Sequence, residues 1–247
     1  MTYSQFQHLA PLGEVLPQAQ YFHKRRVIKS PYELEKLKKS AEILQRTFEY
    51  AHTVLKEGIE EKEVVRHLEE FIKNNGASGW SFDPIVAFGE NSAYPHHITS
   101  SRTLKKNEIV LIDMGVVFEH YCSDMTRTFF WGEGSEELQK IHGLVATIQE
   151  EAVTACAPGV STTSLYTKTM DFFKEHGVGD KFVHSLGHGV GLEIHEAPRL
   201  SFSQDRALEP GMVITIEPGL YVDGLGGVRI EDMVVITEDG YEVITRS

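Results

Sequence analysis

Cysteine is nearly missing from this chain: two thiols, Cys122 and Cys156, in 247 residues. That excludes a disulfide framework and fits a reducing compartment. No apolar run approaches the length that crosses a bilayer, and Met1-Thr-Tyr-Ser-Gln lacks a basic stretch followed by an apolar one. The cytoplasm is therefore the expected location, with no membrane partner. Basic residues are outnumbered, 24 against 36 acidic ones, for a formal charge of −12. Non-specific nucleic-acid binding needs basic patches, so that class is excluded too. Bound divalent cations would offset part of the surplus acid. What remains, 41% hydrophobic and 24% charged, can bury one large core or two small ones.

Residues 1–27, with Pro11, Gly13 and Pro17, have no clear period and read as a loose lead-in with room for one short strand. Ser30-Pro31-Tyr32-Glu33 then signals a helix: a Ser N-cap, Pro at the first helical position and Glu placed to close a capping box. Leu34, Leu37, Ala41, Leu44, Phe48, Ala51 and Leu55 follow at helical spacing until Gly58. A second helix is expected over 60–74, with Val64, Leu68, Phe71 and Ile72 on one face and Gly76 as its stop. Residues 82–88 read as strand, leading into a loop that ends at His96 and His97. After a central hairpin the order repeats: helices over 136–155 and 161–176, a strand-and-histidine region over 182–195, and another apolar strand bearing an acid. Leu104–Gly115 aligns without gaps on Leu208–Gly219, sharing Leu first, Ile ninth, an acid tenth and Gly twelfth. An α+β domain of two similar halves follows, with Asp113 and Glu217 at equivalent points facing a shared axis.

The central hairpin runs from Glu108 to Trp131 and carries Asp113 where the pattern calls for an apolar residue, then Asp124 eleven positions on. A turn near Phe118 and Glu119 would set the two aspartates opposite each other, with Cβ atoms ~5 Å apart. Two buried carboxylates that close repel unless one keeps a proton or a cation lies between them. Either aspartate alone reads equally well as a turn or strand-end residue. Glu217 and Glu231 lie on two further apolar segments, so all four acids are expected on strands. Between the pairs comes His184-Ser-Leu-Gly-His188-Gly-Val-Gly-Leu-Glu-Ile-His195-Glu, whose glycines allow close backbone approach and whose histidines offer nitrogen ligands. One imidazole with four carboxylates suits Mn²⁺, Co²⁺, Fe²⁺ or Zn²⁺ at a two-metal site, and sulfur is too scarce for a structural zinc site.

The ordered set Asp113-x10-Asp124, His184-x3-His188-Gly-x-Gly-x3-His195-Glu, Glu217-Pro-Gly and Arg229-Ile-Glu231-Asp resembles the pita-bread metallopeptidases, which include methionine aminopeptidases, aminopeptidase P and prolidase. The likeness covers roughly residues 25–245. It implies a curved, mostly antiparallel sheet flanked by helices, and two divalent ions, Mn²⁺ before Co²⁺, Fe²⁺ or Zn²⁺. Asp113 and Asp124 would hold one metal, His188 the other, with Glu217 and Glu231 contributing to the pair. A hydroxide bridging the metals would attack the scissile carbonyl. Glu217 would shuttle a proton to the leaving nitrogen, and His96 and His195 would donate hydrogen bonds to substrate and intermediate. His97 competes with His96, which is preferred because its 17-residue distance from Asp113 fits the family spacing. His184 and Tyr221 would line the pocket near the substrate proline, and Arg229 would orient the acids.

His184, Glu217-Pro-Gly-Leu-Tyr221 and Val228-Arg229-Ile-Glu231-Asp232 resemble the Xaa-Pro-cleaving branch. The expected activity is removal of an N-terminal residue ahead of proline, from a dipeptide or a longer peptide. Methionine aminopeptidase activity is the near alternative, and a non-catalytic binding module of the same fold the distant one. Only residues 1–27 precede the proposed catalytic domain, 28–247, where such relatives carry a larger N-terminal domain. The chain is accordingly read as a natural short form or as the catalytic part of a longer protein, and a homodimer is compatible with the resemblance. Blander readings stand beside these. His184 and Tyr221 can simply pack, Cys122 reads as a small hydrophobe near Asp124, and Arg127 reads as a surface residue at least as well as a partner of a site acid.

Overall fold

The helix start expected at Ser30 forms as a closed capping box. The Glu33 amide donates to Ser30 Oγ (3.4 Å), and the Ser30 amide donates to the Glu33 carboxylate (2.9 Å). The computed structural model describes residues 3–13, 21–203 and 205–246. Two short helices, α1 (Tyr3–Leu9) and α2 (Tyr21–Arg26), precede this cap. No strand occurs in that segment among the described residues, contrary to the expected one. A lone strand there would have no ladder to join, whereas a helix satisfies its own backbone. Pro11 lies in a 3-10 turn, and Pro17 falls outside the described residues.

From the cap runs α3 (Pro31–Val54), and α4 (Glu61–Asn74) follows. The apolar face expected on α4 is buried at Val64, Leu68 and Ile72, while Phe71 stacks on Tyr50 with ring centroids 4.5 Å apart. The first set of strands comprises β1 (Gly79–Trp80), β2 (Ile85–Phe88), β3 (Glu108–Met114), β4 (Val116–Phe118), β5 (Tyr121–Cys122) and β6 (Met125–Trp131). After α5 (Glu136–Thr154) and α6 (Thr162–Glu175) come β7 (Gly187–Gly189), β8 (Glu196–Leu200), β9 (Val213–Ile216), β10 (Gly219–Val222), β11 (Gly226–Arg229), β12 (Asp232–Ile236) and β13 (Tyr241–Val243). The region 182–195 thus contributes only β7 as strand.

The duplication read from twelve positions extends to the backbone. β3 pairs antiparallel with β2 and β6, and β9 pairs in the same way with β7 and β12. Leu104 exchanges hydrogen bonds with the Gly58–Ile59 turn (2.8 and 2.9 Å), as Leu208 does with Gly159–Val160 (2.8 Å each). Asn107 and Gly211, at matching positions, both have positive φ, 63° and 86°. Each half owns a core. One lies under α3 and α4 around Phe48, Leu68 and Ile112, the other under α5 and α6 around Ile148, Phe173 and Ile214. A third cluster, with Leu37, Cys122, Val213 and Met233, joins them. Cys122 packs there as the small hydrophobe expected, its thiol pushed up to about 11 by burial. No helix among the described residues is long and apolar enough to cross a membrane.

Two expectations about the acids need correction. Asp113 is opposite Thr126, not Asp124. The hairpin turns one residue later than expected, at Glu119 and His120, which both adopt positive φ (46° and 75°). Moving a turn by one residue moves every pair by two, so Asp124 takes the diagonal position on the same face. Of the four acids, only Asp113 lies within a strand. Asp124 immediately precedes β6, Glu231 immediately precedes β12, and Glu217 falls in the two-residue break between β9 and β10. At such breaks a side chain is not committed to a ladder, which lets the halves aim their acids at one point.

Candidate metal centre

His188 stands in the middle of β7 because glycines flank it. A Cβ at Gly187 would lie 1.9 Å from the Thr215 carbonyl oxygen, and one at Gly189 would lie 2.3 Å from that of Ala197. Only glycine permits the chain to run this close to β9 and β8. The His188 amide donates to Thr215 Oγ1 (3.0 Å), which donates onward to Glu217 Oε1 (3.2 Å). Across the centre, Thr126 Oγ1 donates to Glu231 Oε2 (2.7 Å), and the Glu231 amide donates to the Thr126 carbonyl (3.1 Å). One threonine from each half therefore holds an acid of the second half. Asp113, Asp124, His188, Glu217 and Glu231 all border one cavity of about 910 Å³.

The donor chemistry of these five fits a divalent cation. Asp124, His188 and Glu231 each offer a ligand atom within 4.8 Å of the others. His188 Nδ1 donates to the Gly189 carbonyl (3.0 Å), so Nε2 carries a lone pair. This lone pair faces Glu217 Oε1 at 3.3 Å and Asp124 Oδ2 at 3.5 Å. Asp113 Oδ1 is buried with no hydrogen-bond partner among the described residues. Lone pairs converging without a donor call for a proton or a cation between them.

The electrostatics agree. Burial, reinforced by Glu231, Asp113 and Glu217, holds Asp124 well above the usual carboxylate range. Burial and the charges of Glu217 and Asp113 raise Glu231 likewise. Burial pushes Glu217 up to about 8, with Arg229 opposing and Asp113 adding. Burial first, then the nearby His195, takes His188 down to about 4, so its imidazole is neutral at physiological pH.

Arg229 is the cation that holds this acid cluster from behind. Nη2 donates to Asp113 Oδ2 (2.6 Å), Nη1 to Tyr221 Oη (2.6 Å) and Nε to Thr126 Oγ1 (3.2 Å). The Tyr221 hydroxyl donates to His184 Nε2 (2.9 Å), whose Nδ1 donates to the Ser185 carbonyl (2.7 Å). His184 borders the cavity, whereas Tyr221 lies behind it, between Arg229 and His184, and does not line the pocket as expected. His96 and His195 both border the cavity and are exposed to it, and the His195 ring meets that of His188 at 4.3 Å between centroids. His97 is held by Glu61 Oε2 at 2.9 Å, which leaves His96 as the freer of the adjacent pair.

The sequence profile of metallopeptidase family M24 matches residues 35–238. The chain belongs to that family. An uncharacterized peptidase of Staphylococcus aureus (strain MSSA476) is 47% identical over 220 residues, 89% of this chain and 63% of the relative's length. A prolidase from Pyrococcus furiosus superposes with a TM-score of 0.95 at 40% identity, over all of this chain and 74% of that one. An Xaa-Pro dipeptidase from Bacillus anthracis gives 0.96 at 42% identity, over all of this chain and 70% of that one. For an X-Pro aminopeptidase from Thermotoga maritima MSB8 the values are 0.95, 36% and 71% of that chain. The architecture is the pita-bread fold, as the resemblance implied.

Several residues of this M24 site escaped the sequence reading. Arg199 borders the cavity on β8, in register with His188, and has no carboxylate partner among the described residues. Its spacing, four past His195 on a strand, was the available signal. Glu61, fully buried, accepts from the Phe88 amide, Asn91 Nδ2, and the Ser100 amide and hydroxyl as well as meeting His97, and so ties down the loop that presents His96. Among the described residues Arg127 pairs with no acid of the cavity; it supports the backbone beside one. It donates to the Glu231 carbonyl and to Asp232 Oδ1 (2.7 Å).

These shifts fix a pH dependence for the metal-free protein. Carboxylates raised in the folded state keep protons that the unfolded chain releases above pH ~4.5. Their stabilisation is full at low pH and is lost as pH climbs through the folded values, about 8 for Glu217. His188, lowered to about 4, acts oppositely, but only below pH ~6.5. Between about pH 6.5 and 8 the raised carboxylates set the slope. The metal-free protein should therefore lose on the order of 1 kcal/mol per pH unit for each proton retained. Thermal unfolding with chelator and with Mn²⁺ across that window checks this, since bound cation should flatten the slope. A flat metal-free curve would contradict the raised carboxylates.

Proposed function

We propose that this chain is a metal-dependent exopeptidase that hydrolyses the bond between an N-terminal residue and proline. The observation that carries the reading is the convergence of Asp113, Asp124, His188, Glu217 and Glu231 on one cavity, with lone pairs facing one another and no donor between them. M24 membership and the prolidase and X-Pro aminopeptidase neighbours supply the substrate class. In this reading residues 28–247 form the catalytic domain, the five ligands hold two divalent cations, Mn²⁺ first, and the protein works in the cytoplasm. Such cations supply Lewis acidity and an activated water near neutral pH.

The chain's own residues do the rest. Glu217, which would be ionised beside bound cations, would take a water's proton and pass it toward the leaving nitrogen. His96 and His195 donate to the developing oxyanion and to the substrate from the cavity wall. His184 lines the proline side, held in its neutral tautomer by Tyr221 and Ser185. Arg199 offers a cation in the cavity. A dipeptide carries its free carboxylate one residue beyond the scissile bond, so Arg199 favours a prolidase-like preference for Xaa-Pro.

The test is one incubation of the Mn²⁺-loaded protein with an Xaa-Pro dipeptide, an Xaa-Pro-Xaa tripeptide and a Met-Ala-Xaa peptide, with products read by mass. The dipeptide should be cut first, and the methionine peptide should survive. Cleavage of the methionine peptide alone would move the chain to the methionine aminopeptidase branch. No cleavage with metal bound would make it a binding module.

A further inference from the structure

Glu196 follows His195 at the start of β8 and borders the same cavity, yet its side chain is only 4% exposed. It faces protein rather than substrate. Oε1 accepts from Arg26 Nε (3.0 Å), from Arg26 Nη2 and from the Glu193 amide (3.1 Å). Oε2 pairs with Lys29 Nζ at 3.2 Å, and that lysine side chain is 1% exposed. Burial pulls the Lys29 ammonium down, Glu196 opposing. Arg26 also reaches Glu193 at 3.1 Å.

On the other side of this loop the Cys122 amide donates to the Gly191 carbonyl (2.8 Å), and Cys122 is two residues from Asp124. The Glu196 carboxylate packs so tightly that a Cβ at Gly191 would lie 2.6 Å from Oε2. Residues 191–196, which bring Ile194 and His195 to the cavity, are thus clamped between β5 and the segment ahead of α3. Arg26 and Lys29 both precede the family-matched stretch 35–238.

We propose that Glu196 is a positioning residue for His195, and that Arg26 and Lys29 make the segment ahead of α3 a working part of the site. The inference rests on the proposed reaction for its kinetic consequence, though not for its structural one. Removing the carboxylate leaves Lys29 buried without a counter-charge and releases the loop. A displacement of ~1 Å at a group that must meet a reacting atom costs about 100-fold.

The experiment compares the Mn²⁺-loaded parent with Glu196→Ala, Glu196→Gln, His195→Ala and the Glu196→Ala/His195→Ala pair. It reads kcat, KM, bound metal, and amide exchange of a peptide covering residues 191–196. Glu196→Ala should lower kcat by about 10–100-fold with KM and bound metal near the parent's. Exchange in the loop should quicken, and Gln should restore part of both effects. In the His195→Ala background the further loss should stay within about twofold, because Glu196 acts through a side chain already gone. The pair Arg26→Gln/Lys29→Met should reproduce Glu196→Ala, and it gives the same readings should Glu196→Ala fail to fold. Losses that multiply, or a loop whose exchange does not change, would overturn the proposal. A parent inactive on every proline peptide would count against the proposed reaction instead, while loop exchange in the metal-free protein would still decide whether Glu196 holds the loop.

Discussion

Asp124→Asn should yield a folded protein that no longer gains stability from Mn²⁺ and no longer hydrolyses peptides. Asparagine preserves the shape, and the backbone contact of residue 124 to Met233 Sδ (3.2 Å) does not involve the carboxylate. What changes is charge and one ligand atom of the trio with His188 and Glu231. Losing a partner that only orients a ligand weakens metal binding by roughly 10–100-fold, and losing the ligand itself should cost more. A cation that binds only the folded state stabilises it by RT ln(1 + [L]/Kd), so the Mn²⁺-dependent rise in Tm should collapse with the affinity. The metal-free variant should behave in the opposite way. Asp124 is held far above its ordinary range by burial and by three neighbouring acids. An amide needs no proton to stay neutral, so above pH ~7 metal-free Asp124→Asn should unfold at or above the parent's temperature. Metal analysis and paired melts with chelator and with Mn²⁺ read both halves. A full Mn²⁺ shift together with parental turnover would remove Asp124 from the ligand set.

The signals legible in the sequence were those whose cause is local. Ser30, Pro31 and Glu33 satisfy each other within one turn, so their helix start could be read from four letters. The repeat was legible because each half must bury a strand that ends in an acid, and the shared Leu, Ile and Gly are the packing that requires. The hairpin register was not, since Glu119-His120 is an unusual pair for a turn with both central residues at positive φ, where Asn and Gly are the common signals. The carboxylates that anchor the loops were also hidden. Glu61, Glu196 and Asp232 look in sequence like any strand or helix-end acid, and their partners lie far off along the chain. Glu231 and Asp232 show the difficulty best. They are adjacent, and successive side chains of an extended chain face opposite ways. One therefore points at the candidate metal centre and the other into protein, and nothing in the pair of letters says which.

That opposite-facing acid should give the larger loss of stability. Asp232 is fully buried and accepts four donors: Arg127 Nη2 (2.7 Å) and Thr245 Oγ1 (2.9 Å) on Oδ1, Gln149 Nε2 (2.8 Å) and Arg246 Nε (2.7 Å) on Oδ2. These come from β6, α5 and the chain end, so one carboxylate ties three separate pieces to β12. Asp232→Ala leaves Arg127 with backbone carbonyls and no carboxylate, leaves Arg246 with Glu150 and Gln149, and strands the buried Gln149 amide. Breaking a buried charge pair costs roughly 3–5 kcal/mol. Arg127 and Arg246 side chains are 28% and 35% exposed and can recover some water, so the low end applies. About 3 kcal/mol corresponds to a Tm lower by roughly 6–12 °C in a chain of this size. Because Arg127 also holds the Glu231 carbonyl, the ligand next door loses its support, and metal affinity should fall by roughly 10–100-fold without vanishing. Urea unfolding of the metal-free protein and Mn²⁺ titration read the two effects separately. The signature inverts that of Asp124→Asn, with stability lost and metal binding merely weakened. If Asp232→Ala instead kept its metal-free stability and lost Mn²⁺ entirely, Asp232 rather than Glu231 would be the acid that faces the cation.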